Sequence, residues 1–137
     1  MLLSLFGRSR SLERVNTALR GAALQPEGFQ EAVRLTLVRL AKGSLGLPQQ
    51  GEPREAVRAP LDEALARAAR LFAYCYLGAR DWEERFTDAA EQERLLALAE
   101  AGPEGLEGRV VSLALLSGYA HESLANRFET VTEEGPS

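Results

Sequence analysis

The two side chains best suited to acid–base or nucleophilic chemistry occur once each. His121 is the only histidine among the 137 residues, and Cys75 is the only cysteine. An imidazole can carry a proton near neutral pH, and a thiolate can act as a nucleophile. Because neither residue has a recognisable partner, we interpret His121 as a structural or surface residue and Cys75 as a small apolar core residue. Both stay secondary candidates for a chemical role, and we expect His121→Ala to keep the biological activity and lose little stability.

Metal and phosphate sites need residue spacings that this chain does not contain. A ferritin-like centre requires Glu-x-x-His pairs, and the residue three positions before His121 is Gly118. A zinc site requires several cysteine or histidine ligands. The glycines of residues 102–108 precede a predicted helix, but Glu104 and Glu107 would repel a phosphate group there. We therefore predict no catalytic, cofactor-binding or metal-binding residues and no cofactor.

Charged side chains are sorted by position along the chain. Residues 1–80 carry twelve basic and seven acidic side chains, a balance of +5, whereas residues 81–137 carry four basic and thirteen acidic, a balance of −9. This pattern indicates either a charged surface that binds a partner or two halves that neutralise each other on folding. The sequence alone leaves both interpretations open.

The first 14 residues combine apolar and basic side chains, with leucines and Phe6 followed by three arginines. Such a segment can pack within its own domain, contact a partner or second subunit, or lie on a membrane surface. Membrane contact through residues 1–14 is possible but not favoured, because the segment is short and Gly7 interrupts it. The candidate interaction residues, with two arginines from a later basic stretch, are Leu2, Phe6, Arg8, Arg10, Arg14, Arg54 and Arg58.

Residues 37–50 have a weak helix-turn-helix pattern, in which a glycine-containing turn is surrounded by basic residues. The segment after the turn contains Gly51, Pro53 and Pro60, so a recognition helix there would be short and broken. The isoelectric point near 5.1 also lacks the basic character usual for such modules. We interpret the segment as an interhelical loop, and nucleic-acid binding is possible but not favoured.

Every periodic segment has the helical spacing of 3.6 residues, and none alternates as a strand would. Turn and capping residues set the predicted helix starts and ends. Predicted starts are Ser9 or Ser11 as a cap, Pro26, Pro60, Asp88 as a cap, and Pro103 or Leu106. The apolar stripe of the first helix runs from Leu12 to Ala22, and the later helices are predicted to end near Gly43, Leu77, Gly102 and Thr130. Two further short pieces are predicted: a helix from Pro53 to Arg58, and a turn capped by Asp81 that holds Trp82 and Phe86.

Residues 71–79 and 110–120 are apolar on almost every side, which is typical of helices surrounded by protein. We therefore predict an all-α fold, a single-domain helical bundle of about five main helices over residues 1–131. Residues 132–137 are predicted to form a flexible acidic tail. Because two helices have apolar surface on both sides, we expect a homodimer that buries the excess.

Composition indicates the cellular setting. Isoleucine is absent and Lys42 is the only lysine, which is typical of codon bias in a GC-rich bacterial genome. No window resembles a signal peptide or a membrane span, so a cytoplasmic location is expected. Together these features predict a non-enzymatic protein-interaction or assembly and regulatory module. The alternative is a nucleic-acid-binding transcriptional regulator that uses basic residues of the first 80 positions, and an enzyme with His121 as proton carrier is third.

Overall fold

The computed structural model describes the backbone of residues 2–51, 53–102 and 104–134, and the side chains of residues 7–128 within those ranges. All regular structure in this part of the chain is helical, which confirms the predicted all-α bundle. The six α-helices are α1 (Leu2–Gly21), α2 (Glu31–Ser44), α3 (Glu55–Arg85), α4 (Ala89–Ala101), α5 (Leu106–Leu116) and α6 (Glu122–Glu134). A 3-10 turn at Pro26–Gly28 lies where the second helix was predicted to begin.

The other five helices all pack against α3. Among those helices, α1 contacts α2, α2 contacts α5, and α5 contacts α4. These contacts place α1, α2, α5 and α4 in that order around α3. Among the described residues no substantial packing closes the arc between α4 and α1. The first half of α3 therefore keeps one side in solvent, where Asp62, Ala66 and Arg70 are exposed.

The core lies along the middle of α3. Residues 71–79 are buried except for Tyr76 and Ala79, as the apolar composition of this segment predicted. The second predicted central segment, residues 110–120, is only half correct. Val110, Val111 and Ala114 are buried, but the Leu116 side chain is 88% exposed. The reason is that α5 packs against α2, α3 and α4 on one side and has no helix on the other among the described residues.

An aromatic cluster joins the segment before α2 to the turn that follows α5. Phe29 makes edge-to-face contacts with Phe72 and Tyr119, with ring centroids 5.4 and 4.9 Å apart. The backbone N–H of Gln30 donates a hydrogen bond to the Tyr119 hydroxyl at 3.0 Å. Gln30 immediately precedes α2, and its amide has no acceptor within that helix. The Tyr119 hydroxyl supplies the missing acceptor. The cluster therefore fixes α2 to the turn that follows α5.

Helix α3 is longer than predicted because it continues through Pro60. The predicted end at Arg58 and restart at Pro60 are wrong. Proline has no N–H, so the helix loses one hydrogen bond in its second turn. Leu61 and Leu65 immediately after it are fully buried, and their packing outweighs that loss. The predicted end at Leu77 is correct in part, because Gly78 has the non-helical angles φ 83° and ψ 161° and divides α3 into two helical stretches.

The second stretch of α3 replaces a predicted short turn. Asp81 lies within helical residues 79–85 instead of capping a turn, so that predicted cap is wrong. Trp82 in this stretch is fully buried. Its indole N–H donates to the Asp88 carboxylate at 3.2 Å, and the same carboxylate pairs with Arg70. Asp88 does precede α4 as predicted, but its side chain makes no hydrogen bond to the amides of that helix.

The last predicted helix is in fact two helices, α5 and α6. The break lies at Gly118, whose φ of 81° is in the left-handed region. The Tyr119 N–H bonds the Ala114 carbonyl at 3.1 Å, and the Gly118 N–H bonds the Leu115 carbonyl at 3.2 Å. This pair of bonds is a Schellman motif, the usual way in which a glycine ends a helix. The apolar periodicity continues across the break, which is why the sequence pattern alone predicted one helix.

Both ends of the chain differ from the predicted bounds. The predicted cap at Ser9 or Ser11 is wrong, because α1 already begins at Leu2 and contains both serines. At the other end α6 extends to Glu134, beyond the predicted end near Thr130. Residues 135–137 lie outside the described residues, so the single domain over residues 1–131 and the flexible tail over residues 132–137 stay predictions.

Helix α1 ends in the same motif as α5 but with an unfavourable residue. Ala23 occupies the left-handed position with φ 61°, while the Leu24 N–H bonds the Leu19 carbonyl at 3.0 Å. A left-handed conformation costs a residue with a Cβ about 1–2 kcal/mol. We expect Ala23→Gly to stabilise the fold by about 0.5–1 kcal/mol, the gain being reduced by the added freedom of glycine in the unfolded chain.

Chemical denaturation of the Ala23→Gly variant measures this gain. Ala97→Gly is the matched control, because Ala97 is also exposed but lies inside α4. Glycine there should destabilise the fold by about 1 kcal/mol. Equal losses at both positions would contradict a strained Ala23.

Candidate functional site

A surface groove of about 650 Å³ lies between α1 and the first half of α3. It lies on the open side of the bundle, where no other described helix covers α3. The Arg14 guanidinium crosses it to the Asp62 carboxylate at 2.5 Å. The remaining lining residues are Arg10, Glu13, Thr17, Ala18, Gly21, Leu65, Ala66 and Arg70. The groove therefore combines small and apolar residues with charged residues of both signs.

The structure brings only two of the predicted interaction residues to this groove, Arg10 and Arg14. Arg8 pairs with Glu31 of α2 at 2.6 Å instead. The guanidinium of Arg58 donates to the Pro53 carbonyl at 3.1 Å, and Arg54 is exposed immediately before α3. The side chains of Leu2 and Phe6 lie outside the described residues.

A charged face of α3 borders the groove, and its residues are not among the predicted interaction residues. This face consists of Asp62, Glu63, Ala66, Arg67 and Arg70, all of which are exposed. The two acidic residues come before Ala66 and the two arginines after it. The spacing of three to four residues was the available signal, because residues so spaced share one side of a helix. All five residues lie inside the helix predicted from Pro60 to Leu77, but the sequence does not show which side of that helix other helices leave uncovered.

Ion pairs among the described residues mostly join charges within the same half of the chain. Arg8–Glu31, Arg14–Asp62 and Arg20–Glu27 lie within residues 1–80. In the second half, Arg127 pairs with both Glu93 and Glu100. Only Arg70–Asp88 joins the two halves. These ion pairs therefore lie mainly within each half of the chain, and Arg70–Asp88 links the two halves.

His121 has a structural contact at the point where α3 is broken. Its backbone N–H donates to the Cys75 carbonyl at 2.7 Å. Its ring lies against Gly78, where a Cβ would come within 2.8 Å of the imidazole Cγ. The imidazole Nδ1 also accepts the Ser123 N–H at 3.1 Å, which caps the first turn of α6.

Cys75 and His121 thus meet through main-chain atoms. The Cys75 side chain is fully buried, and burial raises the pKa of its thiol to about 12. A thiol with so high a pKa is almost entirely protonated at neutral pH and is therefore a poor nucleophile. Cys75 acts as a core residue in this position, consistent with its place on the apolar side of the predicted helix.

A second, smaller cavity of about 160 Å³ lies where α3, α4 and α6 meet. Tyr74 lines it and is only 3% exposed. Burial, followed by the negative charge of Glu93, raises the pKa of Tyr74 to about 12. Arg127 of α6 closes one side through its bonds to Glu93 and Glu100 of α4. These contacts, with buried Leu124, attach α6 to the bundle.

The described residues contain no group of three or more histidine, cysteine, aspartate or glutamate side chains placed to hold a metal ion. Within the same part of the chain, no helix has both the length and the apolar character needed to cross a membrane. No protein-family model matches the chain, and no curated protein or solved structure matches it either.

The capping contact predicts the effect of substituting His121. We expect His121→Ala to destabilise the fold by about 1 kcal/mol, because the Ser123 amide loses its acceptor. This loss exceeds the small cost expected from the sequence. His121→Asn is the matched control, since asparagine is among the preferred capping residues and should retain most of the stability. Thermal or chemical unfolding measures both, and equal losses for alanine and asparagine would show that the cap contributes nothing.

The raised pKa values of Cys75 and Tyr74 predict sensitivity to alkaline pH. Their ordinary values are 9.0 and 10.0, and both are about 12 in the folded protein. The folded state holds these protons more tightly, so the stabilisation is complete below the ordinary values and is lost as pH rises towards 12. Urea unfolding between pH 8 and 11 should show falling stability, with a shallower fall for Cys75→Ala. A stability that does not change over this range would contradict the prediction.

Proposed function

We propose that this protein is a non-enzymatic protein-interaction or assembly module that works as a homodimer in the cytoplasm of a bacterium. The observation that carries the proposal is the groove of about 650 Å³ between α1 and α3. Between residues 61 and 70 it leaves one side of α3 in solvent, while the other residues of this stretch are buried. An interface on this side would complete the covering of α3.

The groove has the composition of a protein interface. Its small residues, Ala18, Gly21 and Ala66, allow another helix to approach closely. Its rim carries arginines, and arginine is enriched at protein interfaces relative to other charged residues. The groove is open to solvent along the side of α3 that carries exposed Asp62, Ala66 and Arg70, which suits a packed helix better than a small molecule enclosed on all sides.

The single histidine and cysteine support the non-enzymatic part of the proposal. The imidazole of His121 already accepts a helix amide, and the Cys75 thiol is buried with a raised pKa. Using either group in catalysis would require giving up the contact that it makes in the fold. The bacterial cytoplasm is supported by the composition, which has no isoleucine and one lysine.

Sedimentation velocity over a range of micromolar concentrations tests the proposal. We expect a species of twice the 14.9 kDa chain mass. A species that stays monomeric at every concentration would remove self-association from the proposal.

Nucleic-acid binding is the competing function, and the same preparation can test it. Two of the arginines that this function would use, Arg8 and Arg14, already pair with carboxylates. Phosphate groups would have to displace those carboxylates. We expect no shift of mixed-sequence duplexes or single strands in a gel at about 50 mM salt. Retardation that weakens steeply with added salt would favour the regulator over the interaction module.

A further inference from the structure

The charged face of α3 is complementary to itself. Asp62 and Glu63 lie before Ala66 along the helix, and Arg67 and Arg70 lie after it. Asp62 and Arg70 are each one helical turn from Ala66, on either side. The face therefore has a negative and a positive half, with a small residue between them.

A second copy of this face can pair with the first in only one orientation. If the two helices run antiparallel and cross at Ala66, Asp62 lies opposite Arg70 of the partner subunit. Glu63 then lies near Arg67 of the partner subunit, and a two-fold axis repeats both pairs. A parallel arrangement would instead place acidic residues beside acidic ones and arginines beside arginines.

We propose that the homodimer forms by antiparallel packing of α3 against α3 of a second copy, about a two-fold axis near Ala66. This inference rests on the homodimer of the proposed function. Each α3 then lies along the groove between α1 and α3 of the other subunit, and the two α1/α3 pairs form two facing layers. Packed helix axes lie about 8–10 Å apart, and an alanine at the crossing point permits the short end of that range.

The charges on this face are available for such pairing. Glu63 and Arg67 are exposed, and neither takes part in an ion pair among the described residues. Asp62 and Arg70 are paired within the subunit, but their side chains stay 57% and 44% exposed. A carboxylate can accept several hydrogen bonds and a guanidinium has five donors, so both can bind a second group.

The first test introduces a charge at the crossing point. Ala66→Glu would place two carboxylates beside each other at the axis, and we expect the dissociation constant of the dimer to rise at least about tenfold, or about 1.4 kcal/mol. Ala97→Glu is the matched control, because Ala97 is an exposed helical alanine of α4. Sedimentation velocity should find the control still dimeric, and circular dichroism should find both variants equally helical.

The second test exchanges the charges of Glu63 and Arg67. Glu63→Arg or Arg67→Glu alone places like charges opposite each other, so each should weaken the dimer. The double variant carrying both changes restores opposite charges across the axis, and we expect its dissociation constant to return towards that of the unchanged protein. Added salt should weaken the unchanged dimer, because these pairs are exposed to solvent.

The outcomes separate this inference from the proposed function. If neither Ala66→Glu nor the single charge changes alter the dissociation constant of the dimer, the α3 interface is overturned while the homodimer stands. A double variant as weak as the single variants would overturn the charge pairing. An unchanged protein that is monomeric at every concentration and at low salt would overturn both proposals.

Discussion

The covering of one apolar stretch of α3 determines the arrangement of the whole molecule. Between residues 71 and 77 this helix buries every side chain except that of Tyr76, so apolar contacts are needed on nearly all sides at once. Five helices satisfy that need in a chain of 137 residues. The arc of α1, α2, α5 and α4 is long enough to surround the middle of α3 but leaves its first half open next to α1. The groove and the charged face are thus consequences of how a short chain covers one long helix.

Gly78 allows the turn between α5 and α6 to cover the last residues of this apolar stretch. A side chain at this position would collide with the imidazole of His121, and the backbone angles there suit glycine. The same break lets the Cys75 carbonyl meet the His121 amide. One residue without a Cβ thus permits the turn between α5 and α6 to contact the core directly, and α6 begins from that contact. His121 and Cys75, which have the most reactive side chains, contribute to this junction through their main-chain hydrogen bond and through side-chain packing.

The sequence was sufficient for the fold class because the apolar stripes are strongly periodic. Val15 and Leu19 of α1 and Leu61 and Leu65 of α3 are fully buried at the spacing that predicted them. The helix bounds predicted at Pro60 and Gly118 were wrong because local backbone preferences and tertiary packing compete at these two positions. At Pro60 the burial of the next leucines outweighs one lost hydrogen bond, whereas at Gly118 a left-handed turn interrupts a pattern that looks continuous. The candidate site was only partly predictable for a different reason. Arg10 and Arg14 stand out as basic residues, but the packing of α1 beside α3 decides which exposed side of α3 borders a groove.

The bond between Gln30 and Tyr119 joins residues 89 positions apart, and this separation bears on how the protein is made. Contacts between α1, α2 and α3 are available as soon as the first 85 residues exist. Phe29, in contrast, meets Tyr119 only after a further 34 residues have followed Arg85 out of the ribosome, because synthesis runs from the amino terminus. Closing so long a loop also costs more entropy than forming the early contacts. The nascent chain therefore holds an incomplete core, with Phe29 and Phe72 lacking their last aromatic neighbour, until the turn after α5 arrives and completes it.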